Sequence, residues 1–137
     1  MALVNMKEML CEARKAHRAV GAFNIANYEL SRAVLQAAEA ENEPVIIQLY
    51  MRLFDSEKAY DLCGMLRRLA KRAKVPVALH LDHGSTVKQA EDALEWGYTS
   101  VMYDGSRDPF EKNVADTKYV ADRAHAAGAT CEGEIGH

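Results

Sequence analysis

Apolar residues in this chain recur with two alternating periods. From about Asn5 to His17, Met6, Met9, Leu10, Ala13 and Ala16 fall at helical spacing. Val20 to Ile25 reads as a short strand, and Asn27 is placed to cap a helix with Leu30, Ala33, Val34, Ala37 and Ala38 on its inner face. Asn42-Glu43-Pro44 closes that helix, and Val45-Ile46-Ile47-Gln48-Leu49 is a continuous apolar strand. A helix over about Ser56 to Ala73 turns Ala59, Leu62, Cys63, Leu66, Leu69, Ala70 and Ala73 inward, and a strand runs from Val75 to Leu81. Thr86-Val87-Lys88-Gln89 has the form of a capping box, opening a helix that Gly97 ends. Tyr98 to Asp104 is the fourth strand. Asp108-Pro109-Phe110-Glu111 starts a helix with Asp as cap, Gly128 stops it, and Ala129 to Ile135 is the fifth strand.

One helix is thus followed by five strands and four intervening helices, with successive strands starting about 22 to 32 residues apart, as in repeated βαβ units. Strands apolar on both faces, alternating with amphipathic helices, imply a parallel sheet with right-handed crossovers. No linker, repeat or low-complexity tract divides the chain, so residues 1–137 read as part of one domain. Periodicity fits two α/β architectures equally: a five-stranded doubly wound sheet, or the first five strands of a (β/α)₈ barrel. The strand ends separate them. Ligands bind at the carboxyl ends of strands in both folds. Here Asn24, the group His80, Asp82 and His83, then Asp104, and finally Glu132 and Glu134 stand at the ends of four different strands. An open sheet concentrates its site at one switch point, whereas a barrel gathers all its strand ends at one mouth. The barrel is the better expectation.

Composition narrows the class. Apolar residues make up 49% and charged ones 27% of 137 residues, a globular balance, and the formal charge of −3 offers no footprint for nucleic acid. Cys11, Cys63 and Cys131 are odd in number and lack C-x-x-C spacing, which favours a reducing, cytoplasmic setting over a disulfide framework. The N-terminus does not read as a signal peptide, and no apolar run approaches the roughly 18 residues a membrane span needs.

The chemistry concentrates in Pro76-Val77-Ala78-Leu79-His80-Leu81-Asp82-His83-Gly84. A buried strand has no packing reason to end in two imidazoles and a carboxylate, and buried ionisable groups are costly unless paired, hydrogen-bonded or metal-bound. His80 and Asp82 point to one side of the strand, and His83 sits where it turns to loop. Histidine is the common neutral zinc ligand, and a carboxylate beside a metal is placed to move protons. The plain alternative for His80 is a core imidazole satisfied by backbone. Asp104, followed by Gly105-Ser106, is either a site residue or a turn residue capping its own backbone. Glu132 and Glu134 share a strand face; either a cation, shared with Asp104, or a salt bridge would relieve their repulsion. Asn24 either shapes the site or caps the next loop.

Other chemistries lack their motifs. No G-x-G-x-x-G, G-x-x-x-x-G-K-[ST] or G-x-S-x-G is present. Lys7, Lys15, Lys58, Lys71, Lys88, Lys112 and Lys118 fall on predicted helices, so no Schiff-base lysine is placed at a strand end. Cys131 reads as a small buried apolar residue. Arg52 and Arg107, in loops after strands, could meet a substrate phosphate, though surface charge is the better account of each, and His17 and His125 read as late-helix residues that complement the dipole.

Val20-Gly21-Ala22-Phe23-Asn24, the His-Leu-Asp-His-Gly element at 80–84, Ser100-Val101-Met102-Tyr103-Asp104-Gly105-Ser106 and Glu132-Gly133-Glu134-Ile135-Gly136 together resemble the class II, metal-dependent ketose-bisphosphate aldolases, in order and spacing. The likeness covers essentially the whole chain and corresponds to the N-terminal half of such an enzyme, a (β/α)₈ barrel. It implies reversible aldol cleavage of a ketose 1,6-bisphosphate or related sugar phosphate to dihydroxyacetone phosphate and an aldehyde, with Zn²⁺ or another divalent ion stabilising the enediolate. By the same resemblance, His83 is a ligand of the catalytic zinc and Asp82 the acid/base for the hydroxyl on the carbon whose bond breaks. Asp104 and Glu134 hold metal at a more buried position, and Asn24 helps shape the substrate site. It also implies a homo-oligomer, dimer or tetramer, with no nucleic-acid or membrane partner. The family's two other zinc histidines, its phosphate loops and a mobile-loop acid correspond to sequence after His137. Where the family often has a small residue such as Ser, this chain reads Leu49-Tyr50-Met51-Arg52. Two alternatives stay open at this stage: a non-catalytic barrel piece or metal-binding scaffold, and another sugar-phosphate barrel enzyme such as an epimerase.

Overall fold

The computed structural model describes residues 2–56 and 58–136; Glu57, inside the predicted 56–73 helix, lies outside them. Five strands, β1 (Gly21–Asn24), β2 (Val45–Tyr50), β3 (Val77–Gly84), β4 (Ser100–Tyr103) and β5 (Thr130–Gly133), pair in parallel in the order of the sequence. Helix α1 (Met6–Lys15) precedes them. Helices α2 (Tyr28–Glu41), α4 (Lys58–Arg72), α5 (Val87–Trp96) and α6 (Phe110–Ala126) make the crossovers, and α3 (Met51–Phe54) is a single turn after β2. Strand order never reverses, so there is no switch point of the doubly wound kind. The chain winds one way, as in a (β/α)₈ barrel, and supplies five of its strands.

Alternation along the strands builds two different faces. Val45, Ile47, Leu49, Val77, Leu79, Leu81, Val101 and Tyr103 point outward and pack under the crossover helices, against Leu35, Ala59, Cys63, Leu66, Ala90, Ala93, Val120 and Ala124. The intervening positions point inward. At the amino ends of the strands, Ile46 and Ala78 receive Met6 and Met9 of α1, with Val4 and Val20 beside them. This helix therefore closes the floor of the half-barrel. It is tied on by the backbone of Ala2 and Val4 to Val77, and by Asn5 Nδ2 donating to the Gly128 carbonyl at 3.0 Å, across 123 residues of sequence.

The predicted punctuation is largely observed. Asn5, Asn27 and Thr86 accept from the first-turn amides of α1, α2 and α5, each such cap being worth about 1 kcal/mol. Asn42 (φ 53°) and Gly97 (φ 88°) end their helices in the left-handed conformation. Four details differ. Gln89 accepts from the Ser85 amide rather than closing a reciprocal box with Thr86. Pro109, not Asp108, stands at the cap of α6, because the Asp108 carboxylate is drawn to Lys112 Nζ at 2.7 Å. The α3 turn is too short for periodicity to reveal. In α2 the buried positions are Ser31, Leu35 and Ala38, while Leu30 is exposed. Ala33, Val34 and Ala37 instead line an open groove with Phe23 of the edge strand β1.

Candidate metal centre and active site

Strand β3 does not end at Leu81 as its apolar run predicts, but continues through the polar cluster to Gly84. Leu81 pairs with Val101 and Gly84 with Tyr103, so Asp82 and His83 together oppose the single residue Met102. This is a β-bulge, and His83 occupies it in the left-handed region at φ 54°. In a regular strand His83 would face away from Asp82. The extra residue turns both side chains toward the mouth. Such a φ costs a non-glycine residue about 1 kcal/mol or more, a strain that concentrates at functional sites. Gly84 makes the bulge feasible: a Cβ there would meet the Met102 carbonyl at 2.7 Å.

The mouth gathers residues from the ends of all five strands. His83 Nδ1 lies 2.8 Å from Asp104 Oδ2 and 3.4 Å from Glu134 Oε2. Asp104 Oδ1 in turn accepts from the Ser106 hydroxyl at 2.6 Å and its amide at 3.1 Å. Asp104 is therefore both a turn residue and a site residue. Burial works against its charge, yet the hydrogen bonds from Ser106 and His83 outweigh burial and hold its carboxyl below the usual range. The hydrogen bond to Asp104, helped by the charges of Asp82, Asp104 and Glu134, raises His83 despite burial. The pocket favours positive charge.

Asn24 Nδ2 donates to Asp82 Oδ2 at 2.8 Å, so the β1 residue aims the β3 carboxylate rather than capping a loop. Tyr50, the last residue of β2 and within the Leu49–Arg52 stretch that departs from the family's small residue, meets the His83 ring edge-on with centroids 6.0 Å apart. Below this level His80 is buried. Its Nδ1 lies 2.8 Å from Ser100 Oγ and its Nε2 3.5 Å from Glu132 Oε2. Burial pushes its pKa down to about 4 against the pull of Asp82, which keeps the ring neutral. Burial and the nearby Asp82 charge raise Glu132. The shared face of Glu132 and Glu134 is thus split between two partners: Glu134 joins His83, Glu132 joins His80.

One imidazole nitrogen and two carboxylate oxygens, from His83, Asp104 and Glu134, lie within 4.8 Å of one another. Mixed nitrogen and oxygen donors around an acidic pocket fit a divalent cation of the zinc kind. A sequence model of the family "Fructose-bisphosphate aldolase class-II" matches residues 4–137. The chain belongs to the class II fructose-bisphosphate aldolase family. It is 46% identical over 139 residues to a 6-phospho-5-dehydro-2-deoxy-D-gluconate aldolase of Halalkalibacterium halodurans, covering 99% of this chain and 48% of that one. It is 43% identical over 144 residues to a fructose-bisphosphate aldolase of Staphylococcus aureus, covering 99% and 49%. The crystal structure of the YdjI aldolase from Escherichia coli K12 superposes with a TM-score of 0.92 at 33% identity, over 98% of this chain and 51% of that one. The chain thus spans about half the length of these relatives.

Within this class II aldolase half-barrel, Cys131 and the lysines keep the places the sequence predicts, while Arg52 on α3 and Arg107 before α6 follow the carboxyl ends of β2 and β4. Burial pushes the Cys131 thiol up to about 11, away from nucleophile chemistry, and the residue packs against the outer core. The seven lysines named above lie on helices, while Lys74, just before β3, is at the floor end. Sequence reasoning missed Tyr50, Ser100 and the splitting of Glu132 from Glu134. Parallel register alone places Tyr50 beside Asp82 and Ser100 beside His80, and that register is invisible until the strands are paired.

Proposed function

We propose that this chain is the N-terminal part of a single (β/α)₈ catalytic domain, and that the complete protein reversibly cleaves a ketose 1,6-bisphosphate or related sugar phosphate. The products are dihydroxyacetone phosphate and an aldehyde. The observation that carries the reading is the adjacency of Asp82, aimed by Asn24, to the His83–Asp104–Glu134 cluster. Asp82 takes the hydroxyl proton from the carbon whose bond breaks, and returns it in the condensation direction. The electron pair of the broken carbon–carbon bond passes to the fragment bearing the carbonyl. Proton transfer alone supplies about 10²–10⁴ in rate. His83, Asp104 and Glu134 would hold a zinc ion, which supplies several kcal/mol of stabilisation to developing negative charge on oxygen. The Asn24 hydrogen bond keeps one Asp82 oxygen occupied and leaves the other for substrate.

Two exposed apolar margins support the larger barrel. On one side stand Phe23 (49% exposed) and the α2 groove; on the other, Ile135 (79%) beyond β5. Further strands and helices would cover both. Relatives named for two phosphorylated substrates support the substrate class, and the free cysteines and unremarkable charge support a cytoplasmic enzyme. Among the described residues no helix is long and apolar enough to cross a membrane. We expect a homo-oligomer, as in the family.

The test is the full-length protein with fructose 1,6-bisphosphate or 6-phospho-5-dehydro-2-deoxygluconate, with the products trapped enzymatically. Cleavage that chelation abolishes and zinc restores is expected. An unchanged rate after complete metal removal refutes the metal mechanism, and an epimerised product without an aldehyde refutes the cleavage.

A further inference from the structure

We propose that His80, propped by Ser100, is a positioning residue that anchors the Glu132 carboxylate and keeps it off the His83–Asp104–Glu134 cluster. The inference rests on the metal-binding part of the reading above, and not on the identity of the sugar.

Inward positions of a (β/α)₈ barrel are ordinarily filled by branched apolar side chains. Here Ser100 is fully buried and the His80 side chain is only 4% exposed. Two buried polar groups in such a layer call for partners. Ser100 Oγ meets His80 Nδ1 at 2.8 Å, and His80 Nε2 faces Glu132 Oε2 at 3.5 Å, a polar contact longer than an ordinary hydrogen bond. The neutral ring carries one proton, and an ionised carboxylate only accepts. Nε2–H therefore points to Glu132, and Nδ1 accepts from the Ser100 hydroxyl. The chain of donors runs in one direction, from Ser100 through His80 to Glu132.

Glu132 has another place to go. It lies two residues from Glu134 with only Gly133 between, its side chain is 53% exposed, and it feels the charges of Asp82, His83 and Glu134. A third carboxylate joining the cluster would take a coordination position that a catalytic ion must keep open for substrate, and would quench its charge. Replacing His80 by an apolar residue would remove the contact that holds the Glu132 carboxylate on its own side of the mouth, and would leave a cation at the cluster as its nearest positive partner.

The test uses full-length protein with Co²⁺ as the probe. In His80→Leu the ligand-field bands should weaken toward higher coordination, and Co²⁺ should bind about tenfold tighter, the scale of effects from groups just outside a metal's ligands. Adding Glu132→Gln should restore the spectrum of the unmodified protein, which Glu132→Gln alone should share. Ser100→Ala, a smaller change in the same layer, should shift the spectrum in the same direction by less. Unchanged spectra and affinity in His80→Leu and Ser100→Ala, or a shift that Glu132→Gln does not reverse, overturn the proposal. So does a protein that binds no cobalt. Protein that holds cobalt but cleaves no sugar phosphate would sink the proposed reaction and leave this inference standing.

Discussion

The two ends of the inner sheet face differ in how they balance cohesion against chemistry. At the floor, Met6 and Met9 lie on Ile46 and Ala78 in an apolar cluster. At the mouth, the same strands present Asn24, Tyr50, Asp82, His83, Asp104 and Glu134, and nearly every contact is a hydrogen bond or a charge. The floor stabilises by burial, which tolerates rotation and small shifts. The mouth depends on direction: Asn24 to Asp82 and Ser106 to Asp104 each fix a carboxylate's orientation. A strand may therefore be regular at its floor end and bulged at its mouth, as β3 is. Stability and catalysis should be separable by mutation along the same strands.

The largest effect that tests this separation is at the mouth. Asp82→Ala should reduce kcat of the full-length protein by about 10²–10⁴. Bound metal, by atomic absorption, and the denaturation midpoint should hardly change. Loss of metal together with activity would mean that Asp82 is a ligand and not a proton carrier. At the floor, Met9→Ala should cost about 2–3 kcal/mol in urea unfolding, the lower part of the range for buried Met. The mutant's kcat/KM, measured well below its melting temperature, should remain near that of the unmodified protein. A large fall in kcat/KM would show that the floor sets the geometry of the mouth after all.

The smallest effect sharpens the electrostatics. His83 is raised above its ordinary value by Asp104, so without metal it binds a proton at higher pH than a free imidazole. That proton must leave before a cation binds. Apparent zinc affinity should therefore fall about tenfold for each pH unit below the His83 pKa, with the break lying above the ordinary value of about 6.5. In the metal-free protein the His83–Asp104 pair contributes stability that is complete below the unfolded imidazole pKa and lost as pH rises through the folded one. The depressed Asp104 gives the opposite dependence at the acid end: its contribution exists above the unfolded carboxyl pKa and disappears as pH falls through the folded one. A break in zinc affinity at or below about 6.5 would contradict the hydrogen bond to Asp104.

How far the sequence spoke for itself follows the same division. Periodicity marks what burial decides, so the five strands and four crossover helices are legible, as are the capping residues Asn27, Thr86 and Gly97. Within α2 it found Ala38 and Val34 but missed Ser31 and Leu35 and took the exposed Leu30 as inner, because that helix is apolar on more than one side and only its neighbours select which side is covered. At the mouth, composition exposed His83, Asp82, Asp104 and Glu134 as improbable residues for strand ends. It could not show that Asn24 grips Asp82, or that Glu132 and Glu134 serve different partners. Those facts depend on cross-strand register, which joins residues separated in sequence by 58 in the first case.

The tether from Asn5 to Gly128 has a consequence for the order of assembly. Helix α1 and the residues just before it find their hydrogen-bond partners only after Val77 and then Gly128, both later in the chain, have been synthesised. Until Ile46 and Ala78 stand side by side on paired strands, Met6 and Met9 have no surface to cover. The helix is thus a closure on strands that must pair without it, and a nascent chain arrested before residue 78 should leave that helix open to protease.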